Sequence, residues 1–187
     1  MPTSSVGITQ LSATGTPSSS TFLRGDNSWA SAGVAAGQVI QVVTAIKTSN
    51  QSTTSTTAVD ISGLSVSITP SSSSNKILII STVNTGQSSG VYRVHLKLSG
   101  GNTASYIGDA NSSAERTAIT VTARNADGWG QVPATLLYYD SPATTSAITY
   151  KVQFYASAGT AYINTTGNID AQTGSPASTL VAMEIKG

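Results

Sequence analysis

The feature that most constrains this chain is a two-residue alternation of apolar and polar side chains. Leu64, Val66 and Ile68 alternate with serines, and the same period recurs in residues 91–98, 119–124 and 148–156. A period of two is typical of a β-strand with one buried face, because successive side chains of a strand point to opposite sides. No window of twelve residues shows the apolar spacing of an amphipathic helix without a breaker. The pattern therefore predicts an all-β chain.

Clusters of Gly, Pro, Asn, Asp and Ser separate these runs at the spacing expected of short antiparallel strands. The stretch Ile77–Val83 is apolar on both faces and predicts a central strand. Further strands are expected at 38–47, 57–61, 103–107, 135–139, 161–164 and 179–186. About ten short strands favour an antiparallel β-sandwich or barrel, and a jelly roll is the common two-sheet arrangement at this size.

Residues 1–37 differ from the rest, and we expect them to form an extended segment before a head domain at 38–187. Small and polar residues dominate this segment. Its apolar residues are scattered, namely Val6, Ile8, Leu11, Phe22, Leu23 and Trp29. Such a segment cannot bury enough apolar surface by itself to offset the entropy lost on ordering. Something outside the core of its own chain must therefore order it.

The stretch Leu11–Ala30 resembles a short motif of bacteriophage tail-fibre and related virion proteins, of the form A-T-G-T-P-S-x-x-T-F/Y-L-R-G-D-x-x-W-A. The chain matches it at Ala13–Ser18, Thr21–Asp26 and Trp29–Ala30. It departs from the motif at Asn27-Ser28, where Gly-Thr is frequent. The resemblance implies a structural protein of a phage particle.

The following domain is similar to the trimeric C1q/TNF-like jelly rolls at fibre tips. A strand ending in Ile68-Thr69-Pro70 leads through a Ser-rich turn into the apolar strand at Lys76–Ile80, and the last strand ends at Met183–Gly187. The resemblance implies a homotrimer, an N-terminus attached to another virion protein of the tail or baseplate, and recognition of the host surface by the head.

The segment 1–37 is expected to serve trimerisation and attachment. Around a threefold axis, three copies of Phe22, Leu23 and Trp29 would build a small core, and Arg24 and Asp26 would pair between chains. Arg24-Gly25-Asp26 also spells an integrin-type adhesion tripeptide, but a turn within the fibre motif is the simpler interpretation.

The first ten residues are expected to be the docking peptide. Val6 and Ile8 alternate with polar residues, as in an extended peptide that adds to a sheet edge of another virion protein. A frayed terminus is the alternative.

Residue types needed for most catalytic and metal chemistry are scarce. The net charge of +1 argues against nucleic acid as a partner. The longest plain apolar run, Ile77–Ile80, is too short to cross a bilayer. Cysteine is absent, so no disulfide and no thiolate metal site is expected. His95 is the only histidine, and Arg93 and Lys97 beside it disfavour the imidazolium that a general base must form. We expect no enzyme activity, no metal and no cofactor, although a facing pair among the eight carboxylates stays open.

With catalysis and metal binding set aside, the remaining candidate residues are those of a binding surface. Arg93, His95 and Lys97 project from one strand face about 7 Å apart and suit an anion or acidic sugar, or else form a solvated or subunit-facing surface. Trp129, in a Gly-flanked loop, would either stack on a sugar ring or cover the core. Tyr106 is a second aromatic candidate of the same kind.

These expectations describe a trimeric phage tail fibre on the virion surface whose head adheres to a host glycan or receptor, with several weak sites acting together. Two other functions stay open at this level. One is a head-decorating capsid fibre without a receptor role, and the other is a surface-polysaccharide depolymerase.

Overall fold

A computed structural model describes residues 12–31, 33–88, 93–114, 116–122, 130–171 and 173–187. In these ranges the chain forms β-strands and a short 3-10 helix at Thr103–Ser105, and no α-helix, which confirms the all-β prediction. It divides into two compact units, Met1–Ala35 and Ala36–Gly187, called here the N-terminal unit and the head.

Twelve strands lie within the described ranges. They are β1 (Thr21–Leu23), β2 (Trp29–Ser31), β3 (Val39–Lys47), β4 (Gln51–Thr53), β5 (Val59–Ile68), β6 (Lys76–Gln87), β7 (Val94–Ser99), β8 (Ile119–Val121), β9 (Gln131–Asp140), β10 (Ile148–Ala156), β11 (Ala161–Ile163) and β12 (Ser178–Ile185).

The head is a sandwich of two antiparallel sheets. One sheet, called here the polar sheet, has the order β5-β10-β7-β8. In the other, called here the apolar sheet, β6 is central: β9 pairs along one side, and β12 followed by β11 pairs along the other. β3 and β4 flank β12 and β11 at the outer edge. The connections β5–β6, β6–β7 and β9–β10 each cross between the sheets, which makes this a jelly-roll arrangement.

The core lies between the two sheets and contains the side chains that the alternation assigned to it. Leu64, Val66 and Ile68 of β5 face Ile77 and Ile79 of β6, and all five are buried. β7 and β10 contribute Leu96, Leu98, Tyr150, Val152 and Phe154 to the same core. A period of two therefore identified the inward faces of β5, β7 and β10 correctly.

The head has an entry end and a far end. At the entry end the chain arrives beside its own C-terminus, because the backbone N–H of Gly37 donates to the carbonyl of Lys186 at 2.8 Å. β6 leaves this end at Lys76 and reaches the far end at Gln87, where β4, β11 and the start of β9 also lie. The far end therefore faces away from the point where the chain enters the head.

The strand predicted at 103–107 is wrong. Gly100 and Gly101 adopt positive φ angles of 110° and 50°, which turn the chain into the 3-10 helix. The hydroxyl of Thr103 donates to the carbonyl of Gly100 at 2.6 Å, so a local turn satisfies groups that a strand would have paired across a sheet.

Three short strands were missed by the sequence pattern. β4 has three residues, too few to display a period. β1 and β2 form a hairpin in the N-terminal unit that pairs Thr21 with Ser31 and Leu23 with Trp29. Residues 12–31 are therefore more structured than the extended segment expected from composition.

Candidate functional site

A cleft of about 480 Å³ opens on the polar sheet near the far end of the head, and Arg93, His95, Thr120 and Ser157 contribute to its lining. Two hydrogen bonds fix the backbone directly before β7. The N–H of Arg93 donates to Ser157 Oγ at 2.9 Å, and the N–H of Ser157 donates to the carbonyl of Arg93 at 2.9 Å. The guanidinium of Arg93 is thus presented from an anchored backbone.

β7 directs His95 and Lys97 to the same outer face. The ring of His95 stacks on Tyr155 with centroids 4.7 Å apart, and its Nδ1 lies 3.0 Å from Thr120 Oγ1. Lys97 Nζ lies 5.2 Å above the ring of Tyr155, a cation–π contact. Tyr155, which the sequence reading did not single out, therefore contacts both His95 and Lys97.

His95 and Arg93 differ in solvent exposure and therefore in the role that each can have in the cleft. His95 is 5% exposed and already packed, so it shapes the wall of the cleft. Arg93 is exposed, and no carboxylate pairs with it in the part of the chain that the structure describes. An exposed guanidinium beside hydroxyl groups is suited to bind an anion.

Tyr106 does not line this cleft. It accepts a hydrogen bond from the N–H of Leu137 at 3.1 Å and packs its ring 5.0 Å from that of Tyr138, so it lies beside β9 and against the core. Trp129 lies outside the described residues.

The N-terminal candidates lie on a hairpin where the structure describes them. Phe22 and Leu23 are exposed in β1, and Trp29 is half-buried in β2. Asp26 accepts hydrogen bonds from the hydroxyl of Ser28 at 2.6 Å and from its N–H at 3.1 Å, and these bonds lower the pKa of Asp26. Arg24-Gly25-Asp26 is therefore part of the hairpin loop. Val6 and Ile8 lie outside the described residues.

Carboxylates of the described residues have structural partners at several positions. Asp60 accepts from Lys151 at 2.9 Å and from Gln153 at 2.7 Å, which lowers its pKa. Asp140 is buried and accepts from the hydroxyl of Tyr150 at 2.6 Å. Within the described ranges, no three His, Asp or Glu side chains are grouped to hold a metal ion.

The outer face of the apolar sheet is the largest feature that sequence reasoning missed. Cross-strand pairing aligns Val42, Met183, Leu78 and Tyr139 in one row across β3, β12, β6 and β9. The next row places Val181, Ile80 and Leu137 side by side. Together with Val39, Ile46 and Ile185, these residues are called here the apolar face. Val42, Ile46, Leu137 and Tyr139 are 52–66% exposed.

The polar sheet has the opposite character. Its outward positions are Ser65 and Ser67 on β5, Lys151 and Gln153 on β10, and Lys97 on β7. An antiparallel sheet normally has one apolar face toward the core and one polar face toward water. The polar sheet follows this rule and the apolar sheet does not. The run Ile77–Val83, which the sequence identified as apolar on both faces, carried the signal.

No protein-family model matches this chain, and no curated protein matches it in sequence. None of the described residues belongs to a helix long and apolar enough to span a membrane.

Proposed function

We propose that the chain is a subunit of a homotrimeric bacteriophage fibre, with a head that adheres to the host cell surface. The observation that carries this proposal is the apolar face. Four strands about 4.8 Å apart and rows about 7 Å apart make it roughly 20 Å by 20 Å. An exposed apolar patch of this extent marks an interaction surface, and the only charge among the outward positions of these four strands is that of Lys76, near the entry end.

The apolar face suits contact with copies of the same chain. Its two halves differ, with Val42 and Ile46 at the β3 edge and Leu137 and Tyr139 at the β9 edge. A contact that joins the β9 half of one subunit to the β3 half of the next is heterologous, and such contacts form a ring when the rotation between neighbouring subunits closes. That the ring has three subunits is inferred from the resemblance to trimeric fibre-tip jelly rolls.

The Arg93 cleft supplies the adhesive function. It lies near the far end, away from the point where the chain enters the head. In a fibre held to the particle through residues 1–37, with Val6 and Ile8 in the docking peptide, this end is directed outward. The exposed guanidinium and the hydroxyl groups around it favour an acidic sugar of the host surface.

The trimer is tested by Leu137→Asp, which places a charge at the edge strand of the apolar face. Since Leu137 is 57% exposed in the single chain, the subunit fold should persist while assembly is lost. We expect sedimentation to give trimers for the natural chain and monomers for L137D at micromolar concentration. Ser65→Asp on the polar sheet is the matched control and should stay trimeric. A natural chain that sediments as a monomer or a dimer would contradict the proposal.

Adhesion is tested by Arg93→Ala on an array of bacterial surface glycans. We expect the natural trimer to retain acidic glycans and R93A to lose at least about tenfold in apparent affinity, because a charge-assisted bond contributes about 1.5–3 kcal/mol. A trimer that binds no glycan and no host cell would favour the decorating fibre, and labelling of the capsid rather than the tail in particle images would support that alternative.

A further inference from the structure

A second pocket at the far end differs in chemistry from the Arg93 cleft. It measures about 390 Å³ and lies between the strand pair β4–β11 and the loop that follows β11. We propose that this pocket binds an uncharged saccharide. The inference adds a second ligand class to the proposed adhesive head and so rests on that proposed function.

Tyr162 gives the pocket an aromatic wall. Strand pairing sets Tyr162 opposite Ser52 of β4 and Gly86 of β6, so its ring lies on the outer face of the sheet beside a residue without a side chain. The exposed Ile169 lines the pocket as well. An aromatic ring and an aliphatic side chain offer apolar surface to the C–H groups of a sugar ring.

The loop that follows β11 forms one wall of the pocket. This wall is rigid because the backbone of the loop packs directly against β6. A Cβ built on Gly86 would lie 2.1 Å from the carbonyl oxygen of Thr165, and one on Gly167 would lie 2.9 Å from the Cα of Ser88. Asn164, buried with a φ of 61°, donates from Nδ2 to the carbonyl of Lys47 at 2.8 Å. The wall is therefore formed before any ligand arrives, which reduces the entropy lost on binding.

Unused hydrogen-bonding groups line the pocket. The side chains of Asn50, Ser52, Tyr162 and Thr165 make no hydrogen bond to any other described residue. Thr165 is the most telling, because it is only 6% exposed and yet lines the pocket with a free hydroxyl. Its hydroxyl oxygen is not among the buried side-chain atoms of the described residues that lack a partner, so it is open to the pocket, where a ligand or water supplies the bond.

The ligand class follows from the charge of the lining. The residues that form the pocket are amides, hydroxyl-bearing side chains, a tyrosine, a glycine and an isoleucine, and none of them is ionisable near neutral pH. Amide and hydroxyl groups both donate and accept, as sugar hydroxyls do. The volume lies in the range of about 300–1,000 Å³ usual for small-molecule sites.

The pocket lies outside the apolar face. Thr179, Thr82 and Thr135 form a polar row across β12, β6 and β9, and Ile46 of the apolar face stands in this row on β3. Tyr162 lies beyond that row toward the far end. Asn84 Nδ2 donates to the carbonyl of Ala177 at 2.6 Å, which ties the segment before β12 to the sheet between the two surfaces. Subunit contact through the apolar face therefore leaves the pocket open.

The test is saturation-transfer NMR on the full-length chain with the methyl glycosides of glucose, galactose and N-acetylglucosamine, and with methyl glucuronide as the anionic probe. We expect at least one neutral glycoside to bind with a dissociation constant on the order of 1 mM. Tyr162→Ala should weaken this binding about tenfold or more, and Thr165→Val about threefold, since it removes one hydroxyl at constant shape. Ser67→Ala on the polar sheet is the control and should bind as the natural chain does.

Thermal melts of each variant separate lost binding from lost folding, and T165V decides the outcome if Y162A does not fold. The proposal is overturned if no neutral glycoside receives saturation, if folded Y162A binds like the natural chain, if T165V does so, or if Tyr162-dependent binding favours methyl glucuronide. None of these results depends on whether L137D dissociates, so the failure of this inference and the failure of the trimeric adhesin are distinguishable.

Discussion

Glu184 is a buried carboxylate that joins the last strand to the loop between β5 and β6. It is 2% exposed, and its Oε1 accepts from Asn75 Nδ2 at 2.6 Å, from the N–H of Ser71 at 2.6 Å and from the hydroxyl of Ser71 at 2.8 Å. Burial by itself raises the pKa of Glu184, but the hydrogen bonds from Asn75 and Ser71 outweigh it, and the pKa is lowered overall.

Glu184→Gln tests this arrangement at the scale of one residue. A folded-state pKa below the unfolded value, near 4.3, gives stability that is present above that value and is lost as the pH falls through the folded pKa. We expect E184Q to lower the free energy of unfolding by about 1–2 kcal/mol near neutral pH, because it loses charge-assisted bonds. The difference from the natural chain should shrink on acidification.

Urea unfolding curves across the acidic range measure this difference. Asp109→Asn, which changes an exposed loop carboxylate, is the control and should follow the natural chain. A gap between E184Q and the natural chain that does not change with pH would mean that the charge of Glu184 contributes nothing.

At the scale of elements, β6 organises the apolar sheet and holds the loop after β11. Its central position follows from a run that is apolar on both faces, as the sequence predicts. Its inward residues Ile77 and Ile79 are buried, while Leu78 and Ile80 are half-buried on the apolar face. One strand therefore serves both the core and the proposed interface.

Gly86→Ala tests the contact between β6 and the loop. The new Cβ would meet the carbonyl oxygen of Thr165 at 2.1 Å, and because this neighbour is backbone the loop must move. We expect a loss of about 1–3 kcal/mol in the free energy of unfolding and weaker binding of neutral glycosides. Gly174→Ala has no atom within 4 Å of its Cβ and is the matched control. Equal melting temperatures for G86A and G174A would show that the contact is not structural.

At the scale of the whole molecule, the head has a core of its own. Its buried cluster draws only on residues from Ile61 to Ala182, and the chain divides between Ala35 and Ala36. The expectation that the head is independent of the first 37 residues stays a prediction.

Expression of residues 36–187 tests it. We expect a cooperative β-type melting transition within a few degrees of the full chain, because none of the described core residues is removed. Circular dichroism during heating measures the transition. Insoluble protein, or a broad and non-cooperative melt, would mean that the N-terminal unit is structurally part of the head.

Part of the candidate site was predictable from the sequence. The spacing of Arg93, His95 and Lys97 predicts a shared strand face, which β7 provides. The stacking of His95 on Tyr155 was not predictable, because β10 and β7 are paired across more than fifty residues of chain. Tyr162 could not be identified as a candidate site residue from the sequence either, because its pocket forms only where β4, β11 and the following loop meet.

The sequence by itself determined the all-β class, the inward residues of β5, β7 and β10 and the central position of β6, because these depend on a period of two and on local composition. Only the tertiary structure decided which outward residues become neighbours. Val42, Leu78, Leu137 and Val181 are far apart in the chain, and each taken alone is an ordinary surface residue. Pairing of β3, β12, β6 and β9 places them side by side, because hydrogen bonds between strands set the register in which side chains from distant segments meet.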